Sequence, residues 1–188
     1  DHECTTPEEA LEKLRRGLFV LLREATNAHN LLDLLPALTP ENRRRVALCT
    51  DDRVPADLLD EGGIDAMIRM AVEAGLPPVE AIRMATLNPA EHYRLGDRGA
   101  VAPGRRADLV VVEDLADFRA ARVLCAGHWV ARGGRPSDWD EPELPHAPPP
   151  AMRVELSAER LRIPAGASAA APPRIRVIRA IPDQLVTG

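Results

Sequence analysis

Two apolar runs in the first half of the chain lack any polar alternation: Leu18-Phe19-Val20-Leu21-Leu22 and Val46-Ala47-Leu48-Cys49. Unbroken apolar runs of this length read as strands covered on both faces, the habit of parallel sheets. Each run ends in ionisable residues, Arg23-Glu24 after the first and Asp51-Asp52 just beyond the second. Helical spacing lies between and around them. Thr6-Pro7-Glu8-Glu9 supplies an N-cap, a proline at the first helical position and an acid three residues after the cap, with Leu11 and Leu14 as the apolar stripe and Gly17 as the stop. Leu31, Leu32, Leu34, Leu35 and Leu38 predict a helix over 27–38, and further helices are expected from Ile64 to Ala74 and from Pro78 to Thr86. Strand and helix alternating in this way predict βα units with parallel pairing. In a (β/α)8 barrel the C-terminal strand ends carry the site, and His2-Glu3, Arg23-Glu24 and Asp51-Asp52 all fall at such ends.

Beyond Gly96 the pattern changes. Ala107 to Val112 reads as a strand, and Arg122-Val123-Leu124-Cys125 and His128-Trp129-Val130-Ala131 flank Ala126-Gly127 as a hairpin. The expected organisation is therefore a barrel portion over 1–97, a small β segment over 98–136, a Pro-rich connection over 137–173 and the opening of a further domain over 174–188. The chain starts without Met and ends directly after an apolar run, which leads us to expect a piece of a longer protein.

Composition narrows the classes. With 188 residues, 45% hydrophobic content and a formal net charge of -5, a packed core is available and a general nucleic-acid footprint is not expected. The 3% aromatic content gives no stacking platform for single strands. No apolar stretch is long enough for a bilayer. Cys4, Cys49 and Cys125 are too dispersed for a metal finger, and a reducing cytoplasm is the expected setting. From residue types alone, Arg23-Glu24 reads more readily as a structural ion pair than as a substrate contact, and Asp52 as a cap or loop acid.

Leu48-Cys49-Thr50-Asp51-Asp52-Arg53, Asp60-Glu61-Gly62-Gly63-Ile64-Asp65, Ala81 to Ala90 and Gly99 to Val112 together resemble the adenine deaminase branch of the amidohydrolase superfamily. Asp1-His2-Glu3, Arg23-Glu24 and the Cys49-Thr50-Asp51-Asp52 tip are the most particular to that branch. The resemblance implies an α/β fold, the C-terminal part of a (β/α)8 barrel from the end of strand six onward followed by a small β-sandwich domain. It implies hydrolytic deamination of adenine to hypoxanthine and ammonia by a homo-oligomeric enzyme, with a binuclear manganese or iron centre, zinc being the alternative. Within it, His2 matches a metal ligand, Glu3 the acid that protonates the purine ring, and Asp51 a metal contact that also accepts a proton. Arg23 and Glu24 are candidates for shaping the substrate pocket. The paired first-strand histidines, the middle-strand carboxylate and the strand-five histidine of that family have no counterpart here. The chain alone is thus expected to hold an incomplete metal centre and to be inactive. Another cyclic amidohydrolase, of dihydroorotase or imidazolone-hydrolysing type, is the competing enzyme reading. A non-catalytic remnant or barrel-completing subunit is the competing non-enzyme one.

Overall fold

A computed structural model describes residues 1–137, 154–162, 174 and 176–188. The chain divides into two compact units, Asp1–Asp138 with Ala180–Gly188, and Trp139–Arg179. Most of the Pro-rich connection expected over 137–173 lies outside the described residues, and 154–162 contain neither helix nor strand.

In the first unit, helix α1 (Pro7–Arg15) forms as its cap signals dictate. The Thr6 hydroxyl accepts from Glu9 N at 3.3 Å, acids fill the first turn, and Lys13 and Arg15 fill the last. Ala10 turns into the core. Gly17, at φ +83°, makes the left-handed exit that a side chain would resist. Strand β1 (Val20–Arg23) then pairs in parallel with β2 (Val46–Cys49), in register from Val20↔Val46 to Arg23↔Cys49. Asp1 flanks β1 on its other side. Its amino group donates to Phe19 O and its carbonyl accepts from Leu21 N, both at 2.8 Å, the bonding pattern of a parallel neighbour. Three backbone segments therefore end side by side and point the same way.

Strand β1 begins two residues later than the apolar run predicts and takes in Arg23, which is buried. A guanidinium can occupy the end of a covered strand because carboxylates meet it there, as described below. The helix expected over 27–38 is also cut down. Only Leu31–Leu34 is α-helical (α2), followed by a 3₁₀ turn at Leu35–Ala37. Pro36 removes the amide that a longer helix would use, and residues 24–30 instead close a loop through a Glu24↔His29 bridge. Two short helices, α3 (Pro55–Asp60) and α6 (Leu87–His92), join the expected α4 (Ile64–Glu73) and α5 (Pro78–Ala85). Leu22, Leu31, Leu34, Met67, Met84, Val20 and Val46 are the largest fully buried apolar side chains, so the core lies between the parallel pair and helices α2, α4 and α5.

An antiparallel meander follows: β3 (Leu109–Val112), β4 (Ala120–Cys125), β5 (His128–Arg132) and β6 (Arg135–Pro136). Its central hairpin turns at Ala126 and Gly127, both with positive φ, and Asp108 Oδ1 accepts from Ala126 N at 2.8 Å. Arg122 and Arg132 stack their guanidinium groups on Trp129. Among the described residues these strands form a single sheet. No described helix is long and apolar enough to cross a membrane.

Candidate active site at the parallel strand ends

The C-terminal ends of the three parallel segments bring His2, Glu3, Arg23 and Asp51 together. Arg23 is the hub. Its side chain is 4% exposed, and Nη1 bonds Asp51 Oδ2 and lies 3.5 Å from Glu3 Oε1. His2 Nε2 stands 3.4 Å from Glu3 Oε1 and 3.7 Å from Asp51 Oδ2. The two carboxylates and the imidazole are all partly open to solvent, so the charges form a basin with a buried cationic floor. Asp51 adopts φ +49°, a left-handed conformation that Asp tolerates better than most residues, and this turn follows directly on β2. Cys49, just before it, has its thiol pushed up by burial, which does not suit a nucleophile.

Glu24 faces elsewhere. It does not pair with Arg23, so the sequence-based reading of those two as a mutual ion pair is corrected: backbone alternation along the strand sends them to opposite sides. The Glu24 carboxylate is buried, meets His29 Nδ1 at 2.5 Å and accepts from Leu31 N at 3.4 Å. Two residues without a part in the sequence reading support this end of the sheet. Arg53 is buried, donates to Glu24 O at 3.3 Å and pairs with Glu61, tying the loop after β1 to the loop after β2. Thr26 accepts from Val54 N and donates to Asp57, a second tie between the same loops. The signal for Arg53 was its place directly after the acidic tip; nothing local marks Thr26.

The donor set can be tested against a divalent ion. Two donors on one ion, with bonds of roughly 2.0–2.2 Å, stand roughly 3.0–3.5 Å apart. His2 Nε2 and Asp51 Oδ2 are 3.7 Å apart, so a few tenths of an ångström would bring both onto one ion. Among the described residues no group of three or more His, Cys, Asp or Glu is arranged to hold a metal. A catalytic zinc takes about three protein ligands, so these residues fit part of a centre.

The Amidohydrolase family profile matches residues 2–130. An adenine deaminase of Desulfatibacillum aliphaticivorans is 48% identical over all of this chain, which covers 32% of that protein. One from Nitratidesulfovibrio vulgaris (strain DP4) is 45% identical, again over 100% of the chain and 32% of the relative. A third, from Geobacillus kaustophilus, is 51% identical over 72% of the chain and 23% of its own length. The chain thus spans about a third of the length of curated relatives matched over its whole extent. Among solved structures, the β-aspartyl dipeptidase of Fervidobacterium islandicum AW-1 in complex with a β-Asp-Leu dipeptide superposes with a TM-score of 0.57 at 23% identity, covering 72% of this chain and 39% of that one. That likeness concerns the fold.

Proposed function

The chain belongs to the amidohydrolase family, and from that premise we propose that it is the rear part of an adenine deaminase, contributing His2, Glu3 and Asp51 to the active site of a longer enzyme. Residues 1–97 would complete a (β/α)8 barrel from the end of strand six through strands seven and eight. Residues 98–136 would belong to a β-sandwich beside it, 137–173 would form the connection, and 174–188 would open a further domain. The observation that carries the proposal is the convergence of His2, Glu3 and Asp51 around a buried Arg23 at the C-terminal ends of parallel segments. The similarity to adenine deaminases over the whole chain supports the substrate.

In this reading water adds to the purine carbon that bears the amine, the amine leaves as ammonia, and the carbon becomes the carbonyl of hypoxanthine. Asp51 takes the proton of the attacking water, a role that needs a carboxylate beside it. Glu3 delivers a proton to the ring nitrogen next to the attacked carbon. His2 and Asp51 would hold a divalent ion, manganese or iron, with the other ligands coming from the rest of the enzyme; that ion supplies Lewis-acid activation of water. Arg23 would fix the Asp51 carboxylate and face it toward the substrate, and Glu24 would shape the pocket through the loop it anchors rather than by direct contact. Alone, the chain lacks the remaining ligands and releases no ammonia from adenine.

The test uses a chimera in which this chain replaces the matching third of the Desulfatibacillum aliphaticivorans enzyme. Asp51→Asn and Glu3→Gln should lower turnover of adenine by roughly 10²–10⁴-fold, and His2→Asn should lower the bound metal per protomer. Full turnover in Asp51→Asn, with metal content unchanged in His2→Asn, would refute the assignment.

A further inference from the structure

The loop after β1 is closed from within and gripped from outside. Inside it, the Glu24 carboxylate is 7% exposed, and a carboxylate this dry needs a counter-charge. Arg23 is committed to Asp51 and Glu3, and Arg53 pairs with Glu61 while touching only the Glu24 backbone. Among the described residues the ion-pair partner of Glu24 is His29, through Nδ1. The other imidazole nitrogen faces a distant part of the chain: Nε2 lies 4.0 Å from Asp183 Oδ1. Around that contact, His29 N donates to Asp183 O at 3.2 Å, and Asn30, fully buried, donates from Nδ2 to Gln184 Oε1 at 3.2 Å. An Ala180↔Thr187 bridge closes the gripping segment into a compact turn, with Asp183 at φ +60°.

Nδ1 is hydrogen-bonded to Glu24, whereas at 4.0 Å Nε2 meets Asp183 only as a charge contact, so that second attraction exists only when the ring is protonated. The neutral ring can keep the Nδ1–H bond to Glu24 but carries no charge for Asp183 to attract, whereas the imidazolium has both. We infer that His29 is a protonation-tuned clasp: as imidazolium it adds a charge attraction between the Glu24 and Asp183 carboxylates that tightens residues 180–187 against the loop at the active end of β1, and on losing its proton it leaves that segment to the His29 N–Asp183 O and Asn30–Gln184 hydrogen bonds, so the hold loosens. The segment would then sit more loosely on this loop as pH rises, whether or not the longer enzyme deaminates adenine.

The groups that face His29 are the Glu24 carboxylate on its own loop, the Asp183 carboxylate on the returning segment and the backbone of Thr26. Burial pulls its pKa down, but the hydrogen bond and charge of Glu24 and the charge of Asp183 outweigh this, leaving it above the ordinary histidine value. A raised value means that the clasp is fully formed below about pH 6.5, the ordinary histidine pKa. It loosens as pH rises through the higher value of the folded state.

Amide hydrogen exchange of the 180–188 peptide in the whole chain, corrected for intrinsic exchange and followed across roughly pH 5 to 9, measures the clasp. Protection should fall by about two- to fivefold as pH rises, with a midpoint above the ordinary histidine value. Asp183→Asn alters a mostly exposed carboxylate and leaves the core intact; it should reduce protection at the acid end by about two- to fivefold and shrink the pH step. His29→Gln should remove the step. A step of unchanged size in Asp183→Asn, or protection in the parent chain that does not change with pH, would overturn the inference. If His29→Gln loses its far-UV signal, the Asp183→Asn result decides alone.

Discussion

Arg23 offers the sharpest energetic test, because its two possible deletions are unequal. Its guanidinium bonds Asp51 and reaches Glu3, but Nε and Nη2 are buried without partners among the described residues. Taking away one partner of a buried ion pair costs about 3–5 kcal/mol, because the other charge is left in a dry site. Asp51→Asn removes a carboxylate and leaves the cation with Glu3 alone, at 3.5 Å and 57% exposed, so the full penalty is reduced; we expect about 2 kcal/mol. Asn also tolerates the left-handed backbone at this position, so charge is the only large change. Arg23→Met removes the cation together with its two unpaired nitrogens. Asp51, 34% exposed, can take up water in its place. Apolar replacement of a buried ion is often close to neutral, so about 0–1 kcal/mol is expected. The double variant should resemble Arg23→Met, giving a coupling of about 2 kcal/mol. Urea unfolding followed by far-UV circular dichroism at neutral pH measures all three. The reasoning fails if Arg23→Met loses more stability than Asp51→Asn, or if the two changes simply add.

Other sites give clear expectations. Asn88, buried on α6, donates from Nδ2 to Arg43 O and Val46 O at 2.8 Å each, so Asn88→Ala should cost about 2–3 kcal/mol in the same unfolding assay. Gly99 has φ +88°, and a Cβ there would lie 2.5 Å from the Ala90 Cβ; Gly99→Ala should cost about 2–4 kcal/mol and lower the melting temperature. Thr6→Ala should cost about 1 kcal/mol through loss of the α1 cap, read as a shift in the urea midpoint with unchanged slope.

Features set by local sequence were legible, and those set by distant partners were not. The α1 cap, the two covered strands and the Ala126-Gly127 hairpin follow from turn chemistry and apolar runs, and each forms close to where the pattern puts it. The Leu31–Leu34 helix is shorter than its leucine spacing suggests because Pro36 interrupts bonding that the spacing ignores. Arg23 read as a polar tip, yet it is the last residue of β1, since its burial depends on Asp51, 28 residues away in the turn after β2. His29 carried no local mark at all: one of its partners, Asp183, comes from the far end of the chain. The proposed site residues, His2, Glu3 and Asp51, were visible as ionisable groups at strand ends and through family resemblance. Their meeting over Arg23 is a property of the parallel register.

The most direct measurement is ammonia release from adenine by the metal-loaded chimera described above, with ring opening of dihydroorotate or an imidazolone followed in parallel reactions. The account predicts ammonia from adenine and no opening of the cyclic amides. A folded, metal-loaded chimera that opens a cyclic amide and leaves adenine untouched would contradict it.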